Sequence, residues 1–121
     1  MTYPLSRFMS AATASYGAFC LVKPRHLGDA MKANPVEKSA YDVLAYTYGA
    51  RDIPISALGM FGRSGRVVTA AMMLRIAIDL SDGVVLSVNA KDSQVRAKVL
   101  GATLGWATLN TVALLLDRRR A

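Results

Sequence analysis

The 121-residue sequence predicts an all-α fold, a four-helix transmembrane bundle, on three observations. Four long apolar stretches are parted by short polar connections. The last of them, Val99 to Leu116, runs 18 residues without a charge, the length that crosses a bilayer. Composition agrees, with 53% of residues hydrophobic and only 19% charged, where about a quarter is usual in a soluble domain. A chain this short has room for one domain. Residues 1–121 therefore read as a single membrane domain with helices at about 4–22, 41–62, 67–89 and 97–116.

Phe8 to Val22 is uncharged and is extended at its start by Tyr3, Pro4 and Leu5. Arg7 gives it the look of a secretory leader, but no small-x-small cleavage site follows. Phe19 before Cys20 also spoils a lipid-attachment motif, so a retained helix is expected. Lys23-Pro24 stops it, since proline cannot continue the hydrogen-bond ladder. Residues 25–40 are polar, with a turn at Asn34-Pro35 and a short interfacial helix before it that turns Leu27, Ala30 and Met31 to lipid headgroups. The second stretch, Tyr41 to Gly62, is interrupted by Arg51-Asp52 and by Pro54, which removes a backbone donor and implies a kink. Gly62, Ser64 and Gly65 are turn formers. The third stretch, Val67 to Asn89, contains Arg75, Asp79 and Asp82. Ala90 to Lys98 connects it to the fourth, and Asp117 with Arg118 to Arg120 marks a water interface.

A soluble four-helix bundle is the alternative, and it would show a broad polar face on each helix. The last helix has none, its most polar side chains being Thr103, Thr108, Asn110 and Thr111. Its small residues recur every fourth position at Ala97, Gly101 and Gly105, a row that lets helices approach closely in lipid. Ser10, Ala14 and Ala18 make a similar row on the first helix. The expected partners are the lipid bilayer, a small lipophilic ligand or partner helix, and further copies through the Gly101/Gly105 face.

Charge excludes other classes. Fifteen Lys and Arg stand against eight Asp and Glu, but no continuous basic face or RNA-binding or zinc-finger pattern accompanies them, so no nucleic-acid partner is expected. With one cysteine, Cys20, and one histidine, His26, neither an intrachain disulfide nor a Cys/His metal cluster can form, and no metal or cofactor is expected. Four spans put both termini and the Arg63/Arg66 turn on one side with six basic residues, against seven on the other. The positive-inside rule is undecided by that count; the compact turn and the arginine tail favour both termini in the cytoplasm.

Five ionisable residues in helices two and three are the informative feature. A central Asp or Arg costs about 2.5–3.5 kcal/mol on insertion while a Leu, Ile or Val returns only about 0.3–0.6. Such residues must face the bundle interior and pair. Arg75, Asp79 and Asp82 fall at about 0°, 40° and −20° on a helical wheel, one narrow face, with Asn89 near it. Arg51 and Asp52 splay by about 100°, so they are not expected to pair with each other. Arg51 is available to Asp79 or Asp82, Asp52 to Arg75, and the Tyr48 hydroxyl to the cluster. Two cations against three carboxylates leave one aspartate over, assigned to Asp82.

Tyr48-Gly49-Ala50-Arg51-Asp52-Ile53, then Leu58-Gly59, a short basic turn and Asp79-Leu80-Ser81-Asp82-Gly83, resembles the domain-of-unknown-function family 4267 over nearly the whole chain. The resemblance implies a small four-helix membrane protein with a G-x-R-D element in helix two and an aspartate closing a polar patch in helix three. Pro54 and Arg75 depart from that pattern. The resemblance implies no activity.

The expected function is non-enzymatic: binding of a small amphiphile or partner helix through the cluster of Tyr48, Arg51, Asp52, Arg75, Asp79 and Asp82. A membrane-embedded enzyme with Asp79 or Asp82 as acid or base, or an ion- or proton-coupled permease subunit, is the alternative. No nucleophile or cofactor motif accompanies the carboxylates.

Overall fold

Helix-start residues punctuate the chain. In a computed structural model describing residues 2–120, Asn34 accepts from the Glu37 amide at 2.8 Å while the Glu37 carboxylate accepts from the Asn34 amide at 2.9 Å. This reciprocal pair, with Pro35 in the first turn, starts a helix. Ser64 accepts from the Val67 amide and Asp92 from the Val95 amide, starting two more. The described residues are all-helical: α1 Pro4–Val22, α2 Arg25–Ala30, α3 Pro35–Phe61, α4 Gly65–Val88 and α5 Ser93–Arg120.

Two of these differ from the sequence reading in a physically simple way. α3 starts six residues before the expected position 41, because the Asn34–Glu37 box satisfies the amides of a polar first turn. α5 continues to Arg120, where three arginines lie favourably on the negative end of the helix dipole. Pro54 does not interrupt α3, which runs unbroken through it.

The four long helices alternate in direction around a ring, α1 against α3, α3 against α4, α4 against α5 and α5 against α1. α2 lies on α3 at one end. The α1–α3 crossing is close because both helices carry glycine there. A Cβ on Gly49 would stand 2.7 Å from the Gly17 carbonyl oxygen and 2.7 Å from the Leu21 side chain, and one on Gly59 would collide with Ser10. The expected Ser10/Ala14/Ala18 row is thus corrected to Ser10 and Gly17: Ala18 is exposed, and Gly17 carries the contact one face round. Gly101 and Gly105 have open space where their side chains would be, so they face away from the bundle.

The termini of helices are tied across the bundle. Asp117, buried on α5, accepts from the Leu5 amide at 3.2 Å and the Ser6 amide at 2.6 Å. Pro4 has no amide, and the Arg7 amide bonds the Tyr3 carbonyl, so every donor of the first turn of α1 is accounted for. Arg7 in turn donates to the Met60 and Gly62 carbonyls at 2.7 and 2.9 Å, closing the end of α3.

Among the described residues one helix, Ser93–Arg120, is by length and composition apolar enough to cross a membrane. α3 and α4 are diluted by their ionisable residues.

Candidate functional site

The five midhelix charges meet as a single network. Helix α3 supplies Arg51 and Asp52, and α4 supplies Arg75, Asp79 and Asp82. Arg51 forks onto Asp82, donating from Nη1 to Oδ1 at 3.0 Å and from Nη2 to Oδ2 at 2.8 Å. Its Nε donates to Asp52 Oδ1 at 2.8 Å. The same Asp52 oxygen stands 2.6 Å from Arg75 Nη1, a charge contact whose N–H bonds are turned away from hydrogen-bond alignment. Arg75 Nη2 lies 2.8 Å from Asp79 Oδ1, one turn along α4. The chain of charges therefore reads Asp82, Arg51, Asp52, Arg75, Asp79.

Burial deepens along it. Arg51 and Asp82 are partly open, whereas Asp52, Arg75 and Asp79 are buried. At the deep end polar atoms are left over: Asp79 Oδ2 and Arg75 Nε have no hydrogen-bond partner. A buried, unpaired polar atom ordinarily costs about 1–3 kcal/mol, more when charged. Such a group is a reason to look for a ligand.

Three expectations about this cluster are corrected. Arg51 and Asp52 do pair, because the arginine stem is long enough to bring Nε back over the 100° splay of their Cβ atoms. Asp82 is not the aspartate left over; it holds the bidentate pair, and the unfilled oxygen belongs to Asp79. Arg51 turns to Asp82, one of the two partners its position left open. Tyr48 contributes its ring and not its hydroxyl, with the Arg51 guanidinium carbon 4.8 Å from the ring centroid. Asn89 lies outside the cluster, its side chain donating to the Val85 carbonyl at 2.7 Å. The pairing of Asp52 with Arg75 is as the spacing required.

A cavity of about 340 Å³ opens beside the deep end of the network. Asp52, Arg75, Asp79 and Asp82 form its polar wall. Leu27 and Met31 of the α2 region and Leu86, Val99 and Trp106 of the α4–α5 pair supply apolar walls. Trp106 is held across the bundle, its indole Nε1 donating to Thr13 Oγ1 at 3.0 Å. At the rim, a carbonyl 2.6 Å from His26 Nδ1 requires a donor there, so in the neutral ring Nε2 accepts from the Tyr16 hydroxyl at 3.0 Å. Both ring nitrogens are thus occupied. Lys98 also lines the cavity.

Asp117, Trp106 and Lys98 were not singled out from the sequence. The partners of Asp117 and Trp106 are set by the register of α5 against α1, which no local pattern reports. Matched against protein-family models, the curated proteins and the solved structures, the chain finds no match.

Proposed function

We propose that this chain is a multi-pass membrane protein whose four long helices span the bilayer and whose polar interior holds a small amphiphile. The observation that carries this reading is an inverted distribution of polarity. Among the described residues twenty-two large hydrophobic side chains are exposed, Phe8, Phe61, Met73, Val84, Leu109 and Leu115 included, while the interior keeps Asp52, Arg75, Asp79, Asn110 and Asp117. Water would leave such an exterior prone to association. Hydrocarbon requires that charges turn inward and pair.

Lengths agree with a bilayer. Val99–Leu116 rises about 27 Å and Val67–Val88 about 33 Å at 1.5 Å per residue, against a hydrocarbon core of about 30 Å. The charged residues in the middle of the apolar stretches, Arg51, Asp52, Arg75, Asp79 and Asp82, all belong to the one network, while Asp42 lies at the start of its stretch. The remaining charges gather at the two ends. One end has Arg7 with the Arg63/Arg66 turn and the arginine tail. The other has the ion pairs Arg25–Asp42, Lys38–Asp29 and Lys91–Glu37.

The membrane part is tested by fractionation and by reporter fusions. The protein should stay in the pellet through high salt and carbonate and leave it only with detergent. Fusions after Ser64 and at the carboxyl end should report one compartment, and fusions after Ala33 and Ser93 the other. Recovery in the carbonate supernatant overturns the reading, and any other fusion pattern overturns the four-span topology.

A further inference from the structure

The cavity wall specifies the chemistry of what fills it. Two kinds of polar atom are left over, and they belong to adjacent side chains joined by an ion pair. Asp79 Oδ2 is an acceptor without a donor, and Arg75 Nε is a donor without an acceptor. Both residues are more than nine-tenths buried, and both line the cavity. An ammonium head offers donors only and a carboxylate offers acceptors only. A hydroxyl is one donor and two acceptors on a single atom.

Charge points the same way. Arg51, Arg75 and Lys98 are three cations against the three carboxylates Asp52, Asp79 and Asp82, all in the cavity wall or bonded to it. A wall whose formal charges cancel favours a neutral head. Size sets the remainder. A cavity of about 150 Å³ accommodates benzene, so 340 Å³ holds about a dozen non-hydrogen atoms. Much of the wall beyond the polar patch, Leu27, Met31, Leu86, Val99 and Trp106, is apolar and fits an alkyl or terpenoid tail.

We propose that the cavity binds a neutral amphiphilic alcohol of about a dozen heavy atoms, its hydroxyl donating to Asp79 and accepting from Arg75, its tail lying against Trp106. This rests on the amphiphile-binding reading above and assigns the class of head.

Trp106 is the sole tryptophan and lies in the wall, so contact quenching reads this site directly. The experiment titrates 9-bromononan-1-ol, 9-bromononylamine and 9-bromononanoate into the whole protein in nanodiscs of a single zwitterionic lipid. Membrane residence is scored separately by carbonate extraction. The alcohol should quench saturably at one per chain, and at least about tenfold more tightly than either charged probe, since a site built around a hydroxyl discriminates steeply against heads that leave its groups unpaired. Asp79→Leu should abolish the preference among heads. Val99→Phe, which fills the tail region and leaves the charges alone, should abolish saturable quenching by all three. Saturable quenching led by the amine or the carboxylate keeps the amphiphile reading and overturns the hydroxyl assignment. Quenching that rises linearly, equally in the parent and in Val99→Phe, reports bulk lipid and overturns both.

Discussion

Removing Arg75 is the sharpest test of how the interior is held together. Its side chain is 5% exposed, and among the described residues it is the only cation within ion-pair distance of Asp79, at 2.8 Å. Arg75→Met keeps an unbranched stem and deletes the charge. Asp52 would still have Arg51, but Asp79 would be left buried with neither oxygen compensated. Breaking a buried pair from one side costs about 3–5 kcal/mol. On the proposed membrane placement, the insertion cost of a lone central aspartate, about 2.5–3.5 kcal/mol, gives the same size. Adding Asp79→Leu removes the stranded carboxylate and leaves Arg51 between Asp52 and Asp82, both still bonded. The double variant should return to within about 1 kcal/mol of the parent, a coupling energy of about 2 kcal/mol or more. The assay is unfolding in mixed micelles of rising dodecyl sulfate content, followed by Trp106 fluorescence. A loss under about 1 kcal/mol in the single variant, or a double variant no better than the single, refutes the reasoning.

Other outcomes are checked by the same titration. Gly49→Ala should cost about 1–3 kcal/mol, because its Cβ would stand 2.7 Å from the Gly17 carbonyl oxygen. Gly105→Ala meets open space, and should be neutral or stabilising by up to about 1 kcal/mol. Asp117→Ala strips two amides of their acceptor and should cost about 1–2 kcal/mol, with Asp117→Asn recovering part of it. At the α2 end, the Lys91 ammonium and the Asn34 amide hold the Glu37 carboxyl below its ordinary value of 4.5. A lowered value in the folded state means stability that is present above pH 4.5 and lost as pH falls below it. Glu37→Gln should flatten that part of the pH profile.

The helical class was legible because apolar stretches of helix length recur between turn residues, and the last stretch needs no pairing argument at all. The face shared by Arg75, Asp79 and Asp82 was legible because 100° per residue fixes it within one helix. What failed was reasoning about reach and sharing. The wheel compares Cβ directions, and Arg51 extends two methylenes past its own before its first nitrogen, far enough to fold back onto Asp52. Counting charges in pairs left Asp82 alone, whereas one oxygen of Asp52 takes both arginines and the shortfall moves to Asp79. On α1, Ala14 and Ala18 looked as suitable for close packing as Gly17, since small residues cover more than one of its faces. Asp117 was read as the polar edge of a basic tail; its two amide partners lie 112 and 111 positions away. Contacts at such separation depend on how the helices are arranged, and no spacing rule along the chain encodes them.

The Asp117 clasp has a consequence for the order of events during synthesis. α1 leaves the ribosome with an opening turn that is completed by a residue made more than a hundred positions later. Until then the Leu5 and Ser6 amides have only solvent, headgroups or a chaperone to bond. The start of α1 therefore stays provisional while α3 and α4 are built, and the last turn of α5 then fastens it. Truncation before residue 117 should release chains that insert but open readily at that end, and proteolysis within Tyr3–Met9 should register the loss before any change in helix content.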